Sequence, residues 1–122
     1  MKFKISGIRF FVLFIAFCFF TQLVANPVDE KTKIKLLIDK VETCNCKFIR
    51  NGSEHSPKDA KSHLELKLSK AGSRIKTAEQ FIQYLATKSS FTGRPYYILE
   101  NGKKIPSATW LKEKLKEIEN KK

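Results

Sequence analysis

The stretch Tyr96-Tyr97-Ile98-Leu99-Glu100-Asn101-Gly102-Lys103-Lys104-Ile105 decides the fold class. Aromatic and branched side chains from Tyr96 to Leu99 suit the pleated, half-buried surface of a strand. Asn101-Gly102 is a turn pair, because both residues tolerate the positive φ that a tight hairpin demands. Lys104-Ile105 then returns as the hairpin partner, and Pro106 limits it because proline cannot donate to a ladder. A second segment has the same form. Lys47-Phe48-Ile49-Arg50 reads as a strand and Asn51-Gly52 as its turn. Two short strand units point to an antiparallel sheet of two or three strands.

Everything between and around these strands has helical period. Ile34, Leu37, Ile38 and Val41 recur at i, i+3, i+4 and i+7, which predicts a helix over about Asp29–Thr43. Ser56-Pro57 opens a second helix with a cap and a proline at the first position. Its buried face is Ala60, Leu64, Leu68 and Ala71, and Gly72 stops it. Thr77-Ala78-Glu79-Gln80 is a capping box in which Thr77 and Gln80 satisfy each other's backbone donors. Phe81, Ile82, Leu85 and Ala86 follow as the apolar face of a third helix. Ser89-Ser90-Phe91-Thr92-Gly93 is a loop. Ser107 is read as the cap of a final helix that turns Trp110, Leu111, Leu115 and Ile118 inward. The expected fold class is α+β, with about four helices packed on the small sheet.

The first 25 residues read differently. Lys2, Lys4 and Arg9 precede the unbroken apolar run Phe10–Phe20, and Leu23-Val24-Ala25 offers a cleavage site before Asn26. A run this short fits a signal peptide, which needs roughly 7–15 apolar residues, and falls short of the roughly 20 of a spanning helix. Phe17 before Cys18 excludes lipoprotein processing, which needs a small residue there. The chain therefore divides into a signal peptide, residues 1–25, and a single α+β domain, residues 26–122, exported and left without a membrane anchor.

Of ten Phe, three remain after cleavage, with Tyr84, Tyr96, Tyr97 and Trp110. These aromatics, Phe48, Phe81 and Phe91 included, make one modest core. Of 24 basic and 12 acidic residues, only three basic ones leave with the leader, so 21 basic face 12 acidic and the mature charge is +9. The excess favours anionic partners through long-range attraction. It is spread along the chain, and no run has the aromatic-plus-basic form of a nucleic-acid-binding sheet.

The residues that could carry chemistry are few. Phosphate loops, dinucleotide fingerprints and a nucleophile elbow are absent, and no cofactor is implied. Cys44, Cys46, His55 and His63 lack the spacing of a structural zinc site, so no metal is expected. Cys44 and Cys46 leave three readings open: a small buried hydrophobe beside an incidental thiol, a disulfide formed on export, or a reactive pair. At i, i+2 the two lie near the upper end of the Cα separation a disulfide spans, so a bridge would be strained.

His63 and Lys67 share one side of the second helix at i and i+4. Arg50, from the preceding strand, is within reach across a short connection. Three potential cations together would make an anion site. The alternative is a boundary histidine bonded to backbone beside a lysine whose stem lies along the apolar surface.

A wider set of residues carries a family resemblance: Phe48-Ile49-Arg50-Asn51-Gly52, His63-Leu64, Lys67, Thr77-Ala78-Glu79-Gln80-Phe81-Ile82, Ser89-Ser90-Phe91-Thr92-Gly93-Arg94-Pro95-Tyr96 and Trp110-Leu111. The chain resembles the YfeK-like family of small secreted bacterial proteins, a domain of unknown function, over roughly residues 32–118. The resemblance implies the bacterial periplasm and supplies no catalytic residue or ligand. It places Arg50, His63, Lys67, Ser89, Ser90 and Tyr96 among recurring polar positions, and these six are the candidate ligand-binding residues.

Three functions follow as expectations. The first is a non-enzymatic binding or accessory module that recognises an anionic envelope component or periplasmic protein. The second is a small hydrolase or transferase using His63 with Ser90 or Tyr96. The third is a structural interaction protein. Export itself is directly testable: intact-mass measurement of the exported protein should give a chain starting near Asn26, and recovery of residues 1–25 in membranes would contradict the leader.

Overall fold

The computed structural model describes residues 27–121; the proposed leader and its cleavage site lie outside the described residues. The chain runs α1 (Glu30–Thr43), β1 (Cys46–Arg50), β2 (Ser53–His55) and α2 (Pro57–Ala71), then a 3-10 turn at Gly72–Arg74. A short α3 (Ala78–Gln80) widens at once into a π turn, Phe81–Leu85. β3 (Tyr97–Glu100), β4 (Lys103–Pro106) and α4 (Ser107–Asn120) complete it. This is an α+β fold with a four-stranded antiparallel sheet in the order β2-β1-β3-β4.

The sheet has one strand more than the sequence indicates. β2 is Ser-Glu-His, three polar residues at an edge, and its burial pattern carries no apolar alternation. Its pairing comes instead from the Asn51-Gly52 turn, with φ of 51° and 79°, which folds Ser53 back onto Arg50. Asn101-Gly102 repeats the device between β3 and β4, with φ of 52° and 76°. His55 therefore belongs to a strand.

Helix starts follow local chemistry. The Asp29 carboxylate accepts from the Thr32 N–H at 2.8 Å, and the Ser56 hydroxyl from the Asp59 N–H at 3.2 Å. Thr77 Oγ1 accepts from the Gln80 N–H at 3.1 Å, but Gln80 Oε1 reaches past Thr77 to the Lys76 N–H at 2.8 Å. The reciprocal half of the box has moved back one residue. Ser107 does not cap α4. It is the first helical residue, is buried, and donates its backbone N–H to the Tyr96 carbonyl at 2.9 Å.

One face of the sheet carries the core. Cys46 and Phe48 on β1 and Ile98 on β3 point to the helices, while Lys47 on the other face is exposed. α2 lies against β1, and α4 against β3 and β4; α1 packs on both helices. The periodic positions Ile34, Leu37, Ile38 and Val41 are all buried, as are Trp110, Leu111, Leu115 and Ile118. Phe48 meets Trp110 edge-on at 6.4 Å between centroids, and the Trp110 indole N–H donates to Glu100 at 3.4 Å. Two of the aromatics stand outside the core: Tyr84 is 60% exposed and Phe91 fully exposed. Tyr84 falls on the outer side of the π turn, and Phe91 on a loop that leaves the core altogether.

Cys44 and Cys46 are joined as a disulfide across the bend between α1 and β1. Their Cα atoms are 5.3 Å apart, in the middle of the ordinary range and not at its upper end, because the bend draws them together.

Because Thr77 caps a helix of only two turns, its loss falls on a short element whose Phe81 and Ile82 are buried. Thr77→Ala should lower stability by about 1 kcal/mol, read as a shift in the urea midpoint; an unchanged midpoint would show that the cap contributes nothing.

Candidate functional site

Arg50 is the last residue of β1, on the same inward row as Cys46 and Phe48. The row begins apolar and ends in a guanidinium. The β1–β3 register pairs Phe48 with Ile98 and Ile49 with Tyr97, so its continuation sets Arg50 beside Tyr96. Tyr96 precedes β3 and is held by its N–H on the Thr87 carbonyl and its carbonyl on Ser107. α2 crosses this end of β1 and brings His63 and Lys67, one turn apart, onto the same two residues.

The contacts form a chain. An Arg50 guanidinium nitrogen is 2.7 Å from His63 Nδ1, and His63 Nε2 is 3.2 Å from the Tyr96 hydroxyl. Lys67 Nζ donates to the same hydroxyl and to the Lys88 carbonyl, both at 3.2 Å. Arginine only donates, so Nδ1 is the acceptor and the neutral ring carries its proton on Nε2, directed at Tyr96. The phenol oxygen then accepts from both His63 and Lys67. Its own proton has no acceptor among the described residues.

The charges agree with this tautomer. Burial is the main cause that holds the His63 pKa down, to about 4, and the Arg50 and Lys67 charges add to it. Burial also lowers the Lys67 pKa, with Arg50 contributing, and raises that of Tyr96. Each shift favours the neutral form. No ion pair neutralises the cluster: among the described residues, the ion pairs join Lys33, Lys40, Lys61 and Lys114 to glutamates of α1 and α4, and none involves Arg50 or Lys67. Asp59 lines a smaller cavity beside Arg50, His63 and Tyr96 without pairing with them.

All six residues singled out from the sequence line one groove: Arg50, His63, Lys67, Ser89, Ser90 and Tyr96. They are not equivalent. Ser89 is buried, and its hydroxyl accepts from the Thr92 N–H at 3.3 Å. Its backbone bonds Arg94 and Gly93 at 2.9 and 3.0 Å, so Ser89 closes its own loop. Ser90 is exposed. Sequence reasoning missed Ser53, His55, Leu66, Lys70 and Phe91 on the same groove. For Ser53 and His55 the missing signal is that of β2. Leu66 and Lys70 were identifiable from α2, lying three residues after His63 and three after Lys67 on the helical net. Among the described residues no group of three or more His, Cys, Asp or Glu could hold a metal ion.

The folded state binds a proton at His63 less readily than the unfolded chain, whose imidazole titrates near 6.5. Stability should therefore be flat above pH 6.5 and fall as the pH drops from there toward 4. In an NMR titration the His63 ring should protonate near pH 4. A midpoint near 6.5 would mean that neither burial nor the two cations acts on it.

Residues 28–119 match the model of DUF5329, described as a family of unknown function. The chain is also 43% identical over 68 residues to the uncharacterized protein YfeK of Salmonella typhimurium (strain LT2), an alignment covering 55% of this chain and 57% of that protein. The match thus spans less than two thirds of that relative's length. No solved structure matches the chain. The family match runs from just before α1 almost to the end of α4, so every element that builds the groove lies inside it, and the chain belongs to the DUF5329 family.

Proposed function

We propose that the domain is a non-enzymatic binding module of the periplasm or cell exterior that recognises an anionic group, on an envelope component or a partner protein, at the groove floored by Arg50, Lys67 and Tyr96. One observation carries this reading: two cationic side chains and an uncommitted phenol proton converge on a groove that no carboxylate lines. The two like charges repel each other, and an incoming anion relieves that repulsion while accepting the hydrogen bonds that His63 and Tyr96 leave unmade. The neutral His63 holds the floor in shape, bridging Arg50 to Tyr96.

The hydrolase reading has less support. A general base needs a free nitrogen facing the nucleophile. His63 Nδ1 is taken by Arg50, Nε2 bears the proton, and a ring that resists protonation down to about 4 is a weak base at neutral pH. Ser90 makes no hydrogen bond to it among the described residues.

Chemical-shift titration of the exported protein with inorganic phosphate should move the Tyr96 and His63 resonances and leave those of α1 unmoved. Lys67→Ala should weaken that binding about tenfold without unfolding the domain, and raising NaCl to about 0.5 M should weaken it in both proteins. Phosphate affinity indifferent to both Lys67→Ala and salt would sink the proposal.

A further inference from the structure

The groove has a second half of different chemistry. Phe91 is 102% exposed and Leu66 52% exposed, and both line the groove that Arg50, Lys67 and Tyr96 floor. The loop that carries Phe91 is tied down on both sides of it. Thr92 donates its hydroxyl to Asn51 Oδ1 at 2.7 Å and accepts from the Arg94 N–H at 3.2 Å, and Lys88 bridges to Pro95. With the Ser89 bonds, these fix the loop to the β1–β2 turn. A phenyl ring carried into water by a pinned loop offers apolar surface that the fold itself does not cover.

A third feature borders the same space. β2 is the sheet's edge, and its Ser53 and His55 line the groove. One side of the β2 backbone pairs with β1, and the other has no ladder partner among the described residues. An extended chain lying there would find backbone donors and acceptors already aligned.

We propose that the groove takes the C-terminal end of an extended peptide whose last residue is apolar. The terminal carboxylate sits on Arg50, Lys67 and the Tyr96 hydroxyl, the last side chain lies against Phe91 and Leu66, and the preceding backbone runs beside β2. This rests on the anion-binding reading and narrows it. A free phosphate uses only the cationic floor. A fatty acid uses the floor and the apolar rim and gains nothing from the strand edge. The peptide terminus uses all three.

The test measures binding of the exported protein to a fluorescently labelled hexapeptide ending in Phe with a free carboxylate. Its controls are the same peptide amidated, the same peptide ending in Ser, decanoate, and inorganic phosphate as the probe of the cationic floor. The free Phe-ended peptide should bind about tenfold or more tighter than each of the other four. Phe91→Ala, at a fully exposed position, should erase the preference for Phe over Ser at the peptide end. Equal binding of the amidated peptide, or decanoate binding as tight as the peptide, overturns the proposal. If phosphate binds and the free peptide binds no tighter, the peptide inference falls and the anion site stands. If neither binds, both fall.

Discussion

The antiparallel pairing of β1 with β3 sets the geometry of both core and groove. Phe48 opposite Ile98 anchors the buried face of the sheet. Counting outward by the two-residue period of a strand, the next inward pair is Arg50 and Tyr96. A register slipped by one residue would turn Arg50 to the solvent face and Phe48 out of the core together. The apolar row and the polar cluster are therefore consequences of one alignment. The cluster is as well defined as the core because burying Phe48 and Ile98 leaves it no other place.

Placing Arg50 at the end of a buried row has an electrostatic cost, and the way it is met explains the neighbours. A guanidinium leaving water needs acceptors. The usual solution is a carboxylate, which would neutralise the site. Here the acceptor is a neutral imidazole, which satisfies one donor without cancelling any charge. The imidazole can accept only if it stays unprotonated, and the same burial and the same cations keep it so. The Tyr96 hydroxyl repeats the pattern with Lys67. Polar groups are partly satisfied while the positive charge is preserved, and the glutamates that do form ion pairs, Glu30, Glu42, Glu117 and Glu119, pair with lysines other than Lys67.

Much of the fold was readable because its signals are local or periodic. The apolar faces of α1 and α4, the caps at Ser56 and Thr77, and both Asn-Gly turns depend on residues within a few positions of one another. So does the pairing of His63 with Lys67 on one helix turn. What escaped reading depends on partners far away in sequence. β2 has no apolar pattern, because an edge strand of three polar residues is held by the turn before it and the neighbour beside it. Ser107 resembles a cap, yet its N–H is used by Tyr96, eleven positions earlier. Phe91 is legible as a loop residue, but which way the loop carries its ring depends on the bonds that tie Thr92 to Asn51, forty-one positions earlier. The groove was half legible for the same reason. Arg50, His63 and Lys67 follow from a helix and the strand before it, whereas Phe91 and the β2 edge arrive from elements whose positions the sequence does not encode locally.

Small size explains why the site lies where it does. A domain this short has one core and little depth around it, and a polar cluster in the middle of the sheet would break the contacts that Phe48, Ile98 and Trp110 make with one another. At the end of the sheet water is partly excluded, and the backbone already has turns and loop ends to lend as acceptors, as Lys88 does for Lys67. Partial burial is the useful regime. Deeper, the two cations would be too costly to keep charged; in full solvent, salt would screen them and their attraction for an anion would be slight. The rim occupied by Arg50 and Lys67 is thus where a small fold can hold positive charge that still has a long reach, and the adjoining exposed ring of Phe91 stands where an apolar group attached to that anion would meet it.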